Sequence, residues 1–76
     1  MKETLLFILQ RILDHPKDIR IEEIQEEGRT ILSVSVHPED MGKIIGKGGR
    51  IIRAVRDIVK LLAIKHKTYA DVVLSE

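Results

Sequence analysis

Residues 44–52 read Ile44-Ile45-Gly46-Lys47-Gly48-Gly49-Arg50-Ile51-Ile52, an apolar pair, a glycine-rich loop and a second apolar pair that opens a long amphipathic run. Few folds accommodate that order. A helix must stop at Gly46 and another must start by Arg50, so the chain contains a helix–tight loop–helix joint. Glycine has no Cβ and takes up positive φ readily, so such a loop can present bare backbone N–H groups. The loop also opens directly onto a helix N-terminus, where free donors and the positive end of the helix dipole favour an anion.

With 76 residues, a chain buries only roughly 60% of its unfolded surface, so nearly every apolar side chain is needed for one core. We therefore expect residues 1–76 to form a single domain. The 43% hydrophobic and 33% charged residues fit an ordinary globular composition. Cysteine is absent, which removes disulfides, thiolate metal sites and cysteine nucleophiles. The apolar stretch Leu5 to Leu9 is cut by Gln10 and Arg11, leaving it short of a signal-peptide core and of the roughly 20 residues that span a bilayer. A cytoplasmic protein without membrane association is the expectation.

Net charge is +1, but its distribution is uneven. Residues 42–67 carry eight basic side chains (among them Lys43, Lys47, Arg50, Arg53 and Arg56) against one acid, Asp57, whereas residues 1–41 hold five bases and nine acids. The positive segment is the one that carries the glycine loop. Together the two features point to a polyanion as partner.

Periodicity gives the order helix, strand, strand, helix, helix, strand. Leu5, Leu6, Ile8, Leu9, Ile12 and Leu13 recur at helical spacing and Pro16 stops the run, so a first helix is expected over 2–14. Ile19 and Ile21, then Leu32, Val34 and Val36, alternate with polar residues around Glu27-Gly28, the pattern of an antiparallel hairpin. A short helix is expected over 38–45, opened by Pro38 with Glu39 and Asp40 near its positive end. A third helix runs from Arg50 to about Lys65 and a last strand from Ala70 to Leu74. On a helical wheel Ile51, Ile52, Val55, Ile58, Val59 and Leu62 share a sector of about 120°, the expected core stripe. Leu61, Ala54 and Ile64 fall outside it, and are expected either to pack on the first helix or, with Phe7, to form a partner surface.

Competing chemistries fail on spacing. A hydrolase phosphate loop needs Gly-x-x-x-x-Gly-Lys-Ser/Thr, but Gly42 is one residue too close to Gly46 and Gly48 stands where the hydroxyl should be. The dinucleotide fingerprint places Ile51 where its third glycine belongs, and both motifs require a preceding strand. His15, His37 and His66 sit beside element ends without partners at metal-ligand spacing, and read as capping or exposed side chains. Glu22-Glu23 and Glu26-Glu27 fit an edge strand, where charge discourages sheet association. Neither an enzyme nor a cofactor is expected.

The Ile-Ile-Gly-Lys-Gly-Gly-Arg-Ile-Ile stretch, with the Pro-Glu-Asp-x-Gly-Lys run before it and the element order across the whole chain, resembles the small stand-alone bacterial KH-domain proteins of type II. That resemblance implies an α+β fold, helix-strand-strand-helix-helix-strand, with three helices on one face of a three-stranded mixed sheet. It implies a cytoplasmic, non-catalytic binder of single-stranded RNA whose Gly-x-x-Gly loop clamps about four nucleotides of backbone. Gly46, Lys47, Gly48 and Gly49 would form the loop, and Ile44 and Ile45, with Ile52, match the family's apolar positions, part of which floors the base groove. Lys43, Arg50 and Arg53 are the expected flanking phosphate contacts. The family's habit of self-association implies a homodimer, or a heterodimer with another KH-domain protein. Assembly adaptor and single-stranded DNA binder remain the alternatives.

Overall fold

The computed structural model describes residues 1–75. Helix α1 spans Lys2–Ile12, strands β1 and β2 span Arg20–Glu26 and Arg29–Ser35, helix α2 Met41–Ile45, helix α3 Arg50–Lys65 and strand β3 Tyr69–Leu74. This is the expected α+β order. Strand β2 is central, antiparallel to β1 and parallel to β3, so the sheet is mixed and all three helices lie on one face.

The hairpin turn forms because Glu27 and Gly28 both adopt positive φ, 47° and 81°, as a two-residue turn matched to strand twist requires. The register pairs Ile21 with Val34 and Glu23 with Leu32. Thr30, Leu32 and Val34 of β2 and Ala70 and Val72 of β3 are buried on the helical side. Leu5, Leu9 and Leu13, with Ile44, Ile52, Val55, Val59 and Ala63, close the core above them.

Two helix boundaries differ from the sequence expectation. α1 ends at Ile12 rather than at residue 14, because the Asp14 and His15 amides turn away to donate to the buried Asp40 carboxylate at 3.1 and 2.8 Å. The 38–45 helix divides into a tight turn over Pro38–Asp40 and α2 proper. At the end of α3, Lys67 adopts φ 57°, and Thr68 and Lys67 donate to the Ala63 and Ile64 carbonyls. That is a Schellman closure made without the usual glycine.

The core stripe of α3 is narrower than the wheel suggests. Ile51 and Ile58 are 38% and 39% exposed, while Ala63, outside the expected stripe, is buried. The reason is the narrow sheet: one flank of the helix extends past its cover. Leu61 and Ile64 do not pack on α1 either, being 67% and 69% exposed. Phe7 occupies a separate depression with Gln10, Arg11, Pro16 and Lys17, its ring under the Arg11 guanidinium at 4.6 Å.

Candidate nucleic-acid interface

The loop between α2 and α3 owes its shape to Gly46. Its φ of 75° and ψ of 174° belong to glycine alone, and a Cβ there would run into the Ile51 side chain. Gly48 and Gly49 follow in the left-handed region, with φ 63° and 76°, and Lys47–Gly49 closes as one tight turn.

Hydrogen bonding within this turn determines where its donors point. Gly46 donates to the Gly42 carbonyl at 2.9 Å and Gly49 to that of Gly46 at 3.1 Å, and Arg50 donates to that of Lys47. In a trans peptide the C=O and the following N–H point in opposite directions. Because the Gly46 and Lys47 carbonyls face the turn and α3, the Lys47 and Gly48 N–H groups face outward, and among the described residues neither has an acceptor. The start of α3 has no side-chain cap. The result is a pair of adjacent outward amides beside the positive end of a 16-residue helix, suited to a phosphate oxygen.

The expected flanking cations divide into two pairs. Lys47 and Arg50 are exposed and, among the described residues, make no salt bridge. Lys43 is held by Asp14, Nζ to Oδ1 at 2.9 Å; that hydrogen bond and the Asp14 charge raise its pKa above the ordinary lysine value. With both partners half-exposed or more, such a bridge is worth at most about 1 kcal/mol and can yield to a phosphate. Arg53 folds back over the loop, donating from Nη2 to the Gly48 carbonyl and from Nε to the Gly49 carbonyl at 3.3 Å. It thereby holds those carbonyls on the helix side, a positioning role distinct from the phosphate contact expected of it.

The apolar row divides as well. Ile44 is fully buried and offers no surface to a base, a correction to its expected place in the groove; Ile52 is likewise core. Ile45 and Ile51, each 38% exposed, flank the loop instead. Along the outer edge of β3, Arg56 Nε donates to the Val72 carbonyl at 3.0 Å and Asp71 accepts from the Val72 amide at 2.8 Å, so side chains close the middle of that edge.

Sequence reading missed one cluster. Asp40 lies beneath the loop-bearing helices with its side chain inaccessible. Burial pushes its pKa up, but the His15 and Asp14 amides, aided by the nearby His15 and His37 rings, outweigh that and hold it below the ordinary carboxylate value. His37 Nδ1 accepts from the Glu39 amide at 3.0 Å, as a capping histidine should. His15 Nε2 also reaches Glu39, at 3.1 Å, so these two histidines do have a shared partner. The signal was invisible because 21 residues lie between His15 and His37.

Comparison with known proteins agrees with this architecture. The family described as KhpA/KhpB, KH domain, matches residues 2–74. The chain belongs to the KhpA/KhpB KH-domain family. Among its relatives is the RNA-binding protein KhpA of Clostridium perfringens, 48% identical over 65 residues that cover 86% of this chain and 87% of that one. The KhpA of Halalkalibacterium halodurans is 42% identical over 67 residues, 88% of both chains. That of Chlamydia pneumoniae is 37% identical over 76 residues, 100% of this chain and 97% of its own. Membership agrees with the α+β element order and with the mixed sheet. No helix among the described residues is long and apolar enough to cross a membrane.

Proposed function

We propose that this chain binds single-stranded RNA in the cytoplasm, without catalysis, by receiving backbone phosphates at the Lys47 and Gly48 amides. The observation that carries this reading is the outward pair of N–H groups, flanked by the Lys47 and Arg50 side chains, which form no salt bridge among the described residues. Ile45 and Ile51 supply aliphatic contact beside the loop, Arg53 holds the loop's carbonyls back, and Lys43 joins by exchanging Asp14 for phosphate. The names of the KhpA relatives support RNA over DNA as the ligand.

The reading extends to pairing. Ile51, Ala54, Ile58 and Leu61 recur at i, i+3, i+7 and i+10 along the exposed side of α3, the spacing of a helix–helix seam. A second copy, or another KH-domain protein, covers that stripe and brings a second loop to the same RNA.

The test is the double variant Lys47→Asp with Gly48→Asp. Two carboxylates at an exposed turn repel phosphate without entering the core, so RNA binding is lost while the circular dichroism spectrum is retained. Unchanged affinity for single-stranded RNA removes the loop from the mechanism. Equal affinity of the wild type for DNA of the same sequence favours the single-stranded DNA alternative.

A further inference from the structure

Away from the glycine loop, three side chains with metal-binding atoms meet at the junction of α1, β2 and α2. They are His15, His37 and Glu39, and one donor atom from each lies within 4.8 Å of the other two. His15 Nε2 stands 3.1 Å from Glu39 Oε1, and His37 Nδ1 stands 3.8 Å from the same oxygen. The two imidazole rings are stacked with centroids 3.9 Å apart and planes 15° from parallel. The surrounding backbone is restrained. Each histidine precedes a proline, Pro16 or Pro38, which limits the conformation of both residues, and the His15 amide is anchored on the buried Asp40 carboxylate.

We propose that His15, His37 and Glu39 form a site for one divalent transition ion of the zinc class. Two imidazole nitrogens and one carboxylate oxygen are a donor set that zinc and cobalt accept, with water at the fourth position. Calcium and magnesium demand more oxygen ligands than the cluster offers. Ion–donor bonds of about 2.0–2.1 Å place tetrahedral donors roughly 3.4 Å apart, so the donor atoms must close by about an ångström and the rings must turn out of their stack for their in-plane lone pairs to converge on one ion. Their exposure leaves room for this: the His15, His37 and Glu39 side chains are 36%, 32% and 74% exposed.

Proton accounting is simple. His15 Nε2 lies 3.1 Å from the Glu39 carboxylate and must be the unprotonated nitrogen to ligate, with the proton on Nδ1, one of the two tautomers of the neutral ring. His37 Nδ1 must release the Glu39 amide, an exposed hydrogen bond that water can replace. Neither step protonates a ligand. The bound ion would fasten the segment after α1 to the turn that opens α2, seven residues ahead of Gly46.

The experiment is cobalt titration of the tag-free full chain, followed by visible absorption, with zinc as competitor. The expected result is one cobalt per chain, a spectrum of tetrahedral intensity, and displacement by zinc. His15→Ala and His37→Ala each weaken binding by about tenfold or more, whereas His66→Ala, remote from the cluster, changes nothing. Because His37 also caps a turn, Glu39→Gln is the variant that spares the fold: its backbone amide still meets His37, and it too weakens binding. Circular dichroism of each variant establishes that it remains folded. Absence of stoichiometric cobalt, a purely octahedral spectrum, binding that survives Glu39→Gln undiminished, or binding lost in His66→Ala would each overturn the proposal.

Discussion

Gly46→Ala tests whether the loop is built as described, independently of any ligand. The backbone at this position has φ 75° and ψ 174°, a region that costs a side-chain-bearing residue about 1–3 kcal/mol. The new methyl also meets Ile51, lying 2.9 Å from its Cβ and 3.0 Å from its backbone nitrogen. Those atoms belong to the first turn of α3 and cannot retreat without shifting the helix, an overpacking cost of about 1–3 kcal/mol. The sum is about 2–6 kcal/mol. Gly48→Ala is the control: its φ is also positive, 63°, but nothing lies within 4 Å. There only the left-handed penalty of about 1–2 kcal/mol applies, and in both variants the lower entropy of the unfolded chain offsets about 0.4–1 kcal/mol of the cost. At about 4–8 °C per kcal/mol for a domain of this size, Gly46→Ala should lower Tm further than Gly48→Ala by that amount for each kcal/mol that separates them. Small domains hold only about 3–5 kcal/mol in their cores, so Gly46→Ala approaches unfolding at room temperature. Urea denaturation followed by circular dichroism reads both changes. Equal stability of the two variants would refute the steric argument, since only Gly46 faces Ile51.

Other consequences can be measured directly. RNA affinity should fall with a log–log salt slope of about −2 to −3, from three or four neutralised phosphates at about 0.7 each; a slope near zero would separate the basic segment from the backbone contact. Replacing Leu61 and Ile64 with lysine should leave the monomer's stability within about 0.5 kcal/mol, because both side chains are already more than two-thirds exposed. Because Leu61 belongs to the proposed stripe and Ile64 borders it, the same change should abolish self-association in sedimentation, and a loss of several kcal/mol would instead place these residues in a core. Asp40 has its folded-state pKa lowered from 3.8, so its contribution is present above that value and is lost as pH falls through the folded-state value. The stability gap between wild type and Asp40→Asn should therefore narrow in acid, and parallel pH profiles would deny the carboxylate this role.

Much of the fold was legible because its signals are local. Alternation in Leu32 and Val34, the Glu27-Gly28 turn and the glycines of the loop each depend on a few neighbouring residues. The misplacements share a tertiary cause. Ile51 and Ile58 carry the right spacing for burial, but spacing gives the direction of a side chain and not the width of the sheet beneath it. Ala63 is buried because the helix runs close to the sheet there, which hydrophobicity does not encode. Arg53 and Lys43 have the charge of phosphate ligands; that one folds onto loop carbonyls and the other reaches Asp14 depends on contacts absent from any linear pattern. The Asp40 cluster joins residues from two separate segments, 14–15 and 37–40, and only the assembled chain reveals it.

A single loop of this kind makes a weak grip. Phe7 and Tyr69 are the aromatic residues of the chain, and neither adjoins the loop, so base stacking of about 1–3 kcal/mol per base is not available there. Affinity must rest on two backbone amides, two exposed cations and the flanks of Ile45 and Ile51. The proposed pairing compensates through effective concentration, which raises avidity by about 10²–10⁴ when both sites reach one strand. Electrostatics favour an antiparallel arrangement of the paired α3 helices. A parallel one would set Lys47 and Arg50 of both partners side by side, each pair already at the positive end of its helix dipole. The antiparallel one separates them by the length of α3, about 24 Å at 1.5 Å per residue, and leaves both glycine loops open to different stretches of the same RNA. The stripe that lacks cover and the loop that lacks stacking thus lie on one helix, and covering the first supplies what the second needs.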